Sequence, residues 1–138
     1  MLAKFIKGFL ATAAAAAALH AGSAGGYDLE SNMIELNRHM IDLQDAFIKG
    51  DKAKALQAVS DLGSESAKLL ADEAAMKKML PPEKSHLVRI AVTSARMIDD
   101  NVAVLKESMD NTRRDTAQEA YLSIQRACMR CHNLVRDW

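Results

Sequence analysis

Aromatic side chains make up only 4% of the 138 residues, so no core of stacked rings is available. Two prolines and six glycines leave little punctuation, which requires long elements. The formal net charge is zero, and nothing resembles the concentrated basic face that binding a nucleic acid needs. Nor is there a hydrophobic run long enough for a membrane span. The longest, Gly8 to Leu19, has 12 residues where roughly 20 are needed. What the chain does have is 49% hydrophobic residues, much of it Ala, Leu, Ile and Met. These are helix formers and adaptable core fillers rather than strand formers. The length suits one modest domain and not two.

The beginning of the chain reads as a segment to be removed. Lys4 and Lys7 stand without an acid before the Gly8–Leu19 run, and the small residues Ala21-Gly22-Ser23-Ala24 follow. A positive start, a short apolar middle and a small-residue end describe a secretory signal peptide. The expected division is therefore a signal peptide over 1–24 and a helical domain over 25–138, with cleavage after Ala24 or, alternatively, Ala21. An uncleaved anchor is the competing reading. Removal of 1–24 takes two lysines with it and leaves no stable membrane span. The expected location is the periplasm.

Four helical segments follow, with no strand-like alternation long enough to compete. In the first, Leu29, Met33, Leu36, Met40, Leu43 and Phe47 recur at steps of four and three, the seam of a bundle helix. His39 lies off that stripe and is expected to face solvent. Gly50 stops the helix and Asp51 caps the next. The second carries Leu56, Val59, Leu62, Leu69 and Leu70, with Gly63-Ser64 as an expected bend. It fades through Asp72 to Ala75 towards Pro81-Pro82. The third runs from Pro82 or Glu83 to about Met109, with His86 near its start. Thr112 and Asp115 are spaced as a loose capping pair for the fourth. There Ala117, Ala120, Tyr121, Ile124, Ala127, Cys128, Cys131, Val135 and Trp138 form one continuous stripe. The expected fold is all-α, an antiparallel up-down-up-down four-helix bundle, an architecture that places cofactors between helices.

The last helix carries the chemistry. Two cysteines in an exported protein would ordinarily suggest a disulfide, but these are three apart and followed directly by histidine: Cys128-Met129-Arg130-Cys131-His132. Two thiols at this spacing can reach the two vinyl groups on one edge of a porphyrin while the imidazole reaches the iron. On a helix all three project towards one side. The pattern is that of covalent c-type haem attachment, one haem c per chain. A thioredoxin-like dithiol would need a strand-helix-strand context, and a zinc site would need a fourth ligand; neither is present. His132 then binds iron, with Cys128 and Cys131 as thioethers.

The motif near the end of the last helix, together with Asp28-Leu29-Glu30-Ser31-Asn32-Met33-Ile34-Glu35-Leu36-Asn37 at the start of the first, resembles the cytochrome b562 and cytochrome c prime superfamily. The ending Cys131-His132-Asn133-Leu134-Val135-Arg136 is similar to that family's C-terminal histidine segment. The resemblance covers both ends and is indistinct through the second helix. The cysteines depart from cytochrome b562, which holds its haem without thioether bonds. The resemblance implies that Met33 is the second axial iron ligand, that the haem sits between the first and last helices, and that Arg136 contacts a haem propionate. Spacing alone favours reading Met33 as seam packing, since it is one of several Met on helical stripes. An antiparallel arrangement favours Met33 over Met40, because His132 is close to the chain end. His39 and His86 are minor alternatives. Arg126 and Arg130 read either as propionate partners or as solvated surface charge.

Two functions follow from the two states of the sixth position. With both axial positions filled, the expected role is periplasmic electron transfer between redox partner proteins, by low-spin His/Met iron. With the sixth position open, the expected role is that of a gas-binding haem protein like the cytochrome c prime group. No catalytic triad, acid pair or phosphate loop points to an enzyme. Self-association as a homodimer is compatible with either role.

Overall fold

The structure, a computed structural model, describes residues 28–135. The signal segment over 1–24, Arg136 and Trp138 lie outside the described residues. Within them the chain is entirely helical, with no strand. The elements are α1 (Leu29–Lys49), α2 (Lys52–Ala71), α3 (Glu73–Met79), a 3₁₀ segment (Pro82–Leu87), α4 (Val88–Asp110) and α5 (Arg114–Val135). No helix among them is long and apolar enough to cross a membrane.

The helix ends follow from local chemistry. Asp28 caps α1, its carboxylate accepting from the backbone N–H groups of Glu30 and Ser31. These bonds, with one from the Ser31 hydroxyl, hold the Asp28 carboxyl below its ordinary range. Gly50 ends α1 in the left-handed region at φ 69°, and the Asp51 N–H reaches back to the Ala46 carbonyl at 2.9 Å. Asp51 then caps α2. The α4–α5 turn has the same geometry with a less suitable residue. Thr112 takes φ 59°, and the Arg113 N–H bonds to the Ser108 carbonyl at 2.7 Å. The Thr112–Asp115 capping pair is therefore not formed, because Thr112 is used as a C-terminal cap of α4.

Two further expectations are corrected. The second segment does not bend at Gly63. α2 is continuous to Ala71, and a Cβ at Gly63 would lie 3.1 Å from Val102 Cγ1. Gly63 is there because α2 and α4 approach closely. The break comes at Asp72, whose carboxylate caps α3 by accepting from the Ala75 N–H at 2.8 Å.

The long helices pack in chain order: α1 on α2, α2 on α4, α4 on α5, with α3 and the 3₁₀ segment against α4. Short turns make α1–α2 and α4–α5 antiparallel hairpins. The Gly63–Val102 contact and the Ser66–Asp99 hydrogen bond fix α2 antiparallel to α4. The core is small-residue rich. Leu43, Val59, Leu62, Leu105 and Ile124 are its largest fully buried apolar side chains, and much of the rest is alanine.

The seam of α1 differs from the expected one. Leu29, Asn32, Leu36, His39, Leu43 and Ala46 are buried, while Met33 and Met40 are half-buried and Phe47 is exposed. A helix with two neighbours presents three lines of residues. The line 32/39/46 faces α2, where Asn32 donates to Glu65 Oε2 at 2.7 Å and His39 lies in the same polar cluster, 3.8 Å from Glu35. The line 33/40/47 faces α5. His39 is thus only 5% exposed, contrary to its expected solvent position.

Candidate functional site

Cys128, Cys131 and His132 sit on the last turns of α5, half-buried at its inner edge. α5 keeps its buried seam on Ala117, Ala120, Ile124 and Ala127, so the line Tyr121, Cys128, His132 and Val135 is turned towards α1. Between α1 and α5 lies a cavity of about 380 Å³, a volume in the range of small-molecule and cofactor sites, which is roughly 300–1,000 Å³. Cys128, Cys131 and His132 line one wall. Met33, Leu36 and Met40 line the other, and Met76, Met79 and Leu80 close it from α3.

The register of the two walls follows from their contact at the other end. The Tyr121 hydroxyl lies 3.4 Å from Gln44 Oε1, and its ring meets Phe47 edge-on at a 6.0 Å centroid separation. Eleven residues from Gln44 towards the start of α1 is Met33; eleven residues from Tyr121 towards the end of α5 is His132. In antiparallel helices equal steps stay level, so Met33 is level with His132 counted from the Gln44 contact and with Val135 counted from the Phe47 contact, and all three line the cavity. Met40 is level with Gln125 on the first count and with Cys128 on the second, two turns nearer the Tyr121 contact than Met33. The structure thus brings Met33 and His132 to the lining of one cavity.

The other histidines are elsewhere. His39 belongs to the α1–α2 polar cluster, and His86 is exposed on the 3₁₀ segment. Glu65 in that cluster has its carboxyl held below the ordinary range, chiefly by the Lys68 ammonium and then by the Asn32 amide. Arg130 points its guanidinium towards Met97 Sδ at 3.9 Å, and Arg126 and Arg130 are both exposed.

Burial pushes the Cys128 thiol up to about 11 and raises Cys131 as well. Neither forms a disulfide. Dithiols that exchange or sense oxidants are activated by a lowered pKa, so these two thiols are unlike a redox pair. Among the described residues no group of three or more His, Cys, Asp or Glu side chains could hold a metal ion. Cys128, Cys131 and His132 are accordingly spread along a wall rather than gathered around a point. A further residue of the cavity falls on the inward face that periodicity gives the third helical segment, though no function was read from it. Ser94 on α4 is 1% exposed, and its hydroxyl has no hydrogen-bond partner. It looks apolar in periodicity and gives no signal of its own.

Comparisons with family models, with curated proteins and with solved structures found no match to this chain.

Proposed function

We propose that this protein is a periplasmic electron-transfer protein carrying one covalently attached haem c. The observation that carries the reading is the placement of Cys128, Cys131 and His132 on the wall of an apolar cavity whose facing wall carries Met33. The residues fit the group. Two thiols three apart suit attachment along one porphyrin edge, an imidazole and a thioether face each other, and Leu36, Ile98 and Leu80 exclude water between them. On this reading α1, α2, α4 and α5 form an antiparallel up-down-up-down four-helix bundle, with the haem between α1 and α5.

Bound there, a haem supplies a one-electron iron couple. Cys128 and Cys131 tether it, so that it is retained without depending on the axial bonds. His132 and Met33 would be the two protein ligands of the iron, which would leave no open site for a substrate. The apolar lining lowers the local dielectric and, with the thioether of Met33, favours the reduced state. Ile41 and Met129 line the cavity and are 57% and 45% exposed, which leaves its mouth open to a redox partner protein. The basic, apolar and small-residue sequence over 1–24 supports export, and Arg136 is proposed to contact a propionate.

Acid-acetone extraction and visible spectra test the reading together. The haem is expected to stay with the polypeptide, the mass to exceed that of the apoprotein by one haem, and the oxidised spectrum to be low-spin. Haem in the organic phase would remove the covalent assignment. A high-spin spectrum with ready carbon monoxide binding would replace electron transfer by gas binding.

A further inference from the structure

The outer face of α1 carries an apolar stripe. Ile34, Ile41 and Ile48 are 60%, 57% and 78% exposed, more than any other large hydrophobic among the described residues. They are spaced by seven, so they lie almost in line, about 20° apart in rotation and about 10 Å apart in rise. The stripe is on the side of α1 opposite Leu36 and Leu43, which are buried in the core. The line 32/39/46 faces α2 and the line 33/40/47 faces α5, so neither neighbour covers it. Isoleucine is only a middling helix former, so propensity gives no reason for three of them at wet positions. Single exposed apolar residues are ordinary, but a contiguous line of them marks a contact surface.

The residues beside the stripe indicate what it fits. Arg38 and Asp45 lie on one flank, Asn37 and Gln44 on the other, and all four are exposed. A second copy set against the stripe with its α1 antiparallel has the two-fold axis at Ile41. Ile41 then meets its own copy, and Ile34 meets the partner's Ile48. Such an axis sets each flank against the same flank of the partner, and every contact occurs twice. Arg38 falls within one residue, about 1.5 Å of rise, of the partner's Asp45. The uncharged flank sets Asn37 against the partner's Gln44. In a parallel pair the flanks exchange, so Arg38 and Asp45 meet only amides and form no ion pair. The stripe is thus complementary to itself in one orientation. Within the chain Arg38 is joined to Glu35 and Asp42, and Asp45 to Lys49, so the new pairs link short networks of alternating charge.

We infer that α1 is a dimer interface: a second copy of this chain packs antiparallel on Ile34, Ile41 and Ile48, and Arg38 pairs with the partner's Asp45. The inference does not rest on the haem assignment. Ile41 also lines the cavity between α1 and α5, so the dimer covers that side of its mouth and leaves the Met129 side to a redox partner. α1 has 21 residues and is about 30 Å long. One pair of such helices is at the small end of specific interfaces, so a roughly micromolar dissociation constant is expected.

Sedimentation equilibrium of the chain as purified, from micromolar to millimolar concentration, is the test. A monomer–dimer equilibrium is expected. Ile48→Glu should weaken it at least tenfold and leave the far-ultraviolet helical signal unchanged, since that side chain supports nothing in the core. Arg38→Asp and Asp45→Arg should each weaken it about tenfold by setting like charges together twice, and the double variant should recover most of the affinity. Recovery reports a contact between chains, because residues seven apart are about 10 Å apart along α1 and do not pair within it. A monomer at millimolar concentration would overturn the inference. So would dimerisation unaffected by Ile48→Glu, or a double variant as weak as the single ones.

Discussion

Met33 and Met40 differ by two turns of α1 and face the same helix, so they provide a test at the level of single atoms. On the proposed reading Met33 is the iron's second ligand, since it lines the same cavity as His132 from the facing helix; Met40 lines it too, about 10 Å further along α1. Met33→Ala is expected to abolish the weak sulfur-to-iron band of the oxidised protein and to lower the reduction potential, because a soft thioether favours the reduced metal. Met40→Ala should leave both nearly unchanged. Visible absorption and a redox titration of the two variants decide it, and the opposite ranking would move the ligand to Met40. The grouping of Cys128, Cys131 and His132 was legible from their spacing, and the three line one cavity wall. The seam of α1 was only half legible. Leu29, Leu36 and Leu43 are buried as the periodicity requires, but the accompanying inward line is Asn32, His39 and Ala46 rather than the methionines. Two polar residues enter the seam because Glu65 on α2 meets them, and no pattern within α1 reports a partner 33 residues away.

The same limit appears in the elements. The end of α1 could be read from Gly50, since glycine is the default residue for a left-handed cap. The end of α4 could not, because Thr112 does the same task at φ 59° with a branched Cβ. A β-branched residue there is a genuine outlier, and the left-handed conformation costs about 1–2 kcal/mol without glycine. Thr112→Gly should therefore stabilise the folded protein. Glycine's greater freedom in the unfolded chain offsets part of the gain, roughly 0.5–1 kcal/mol, so a net increase of about 0.5–1 kcal/mol is expected. Urea denaturation measures it, and a lower midpoint for the variant would show that the turn is not strained. Gly63 is the contrasting case. It was read as a bend from composition, yet it sits in an unbroken helix because α2 and α4 nearly touch there. Helix breaks depend on capping partners and close approaches depend on neighbours, and only the former are local in sequence.

The whole molecule is built around an opening. α1 and α5 meet at Phe47 and Tyr121 and enclose a cavity of about 380 Å³ on the side of His132. It opens to solvent beside Ile41 and Met129, so with no ligand in it an apolar lining stands against water, which disfavours the open form. With no ligand there the cavity floods or α1 and α5 collapse together, and either costs the fixed packing of Met33, Leu36 and Cys128. A ligand bound only by the native state restores that packing and adds its binding energy to folding. The haem-free Cys128→Ala/Cys131→Ala protein is accordingly expected to keep most of its far-ultraviolet helical signal. It should lose its near-ultraviolet signal, bind a hydrophobic dye, and melt over a broad range well below the holoprotein. The turn end, held by Gln44, Phe47 and Tyr121, should retain the slowest amide exchange, and the residues around Met33 and His132 the fastest. A haem-free variant with the same sharp melt as the holoprotein would show that the helices close the cavity unaided, and the opening would then not be there to receive a cofactor.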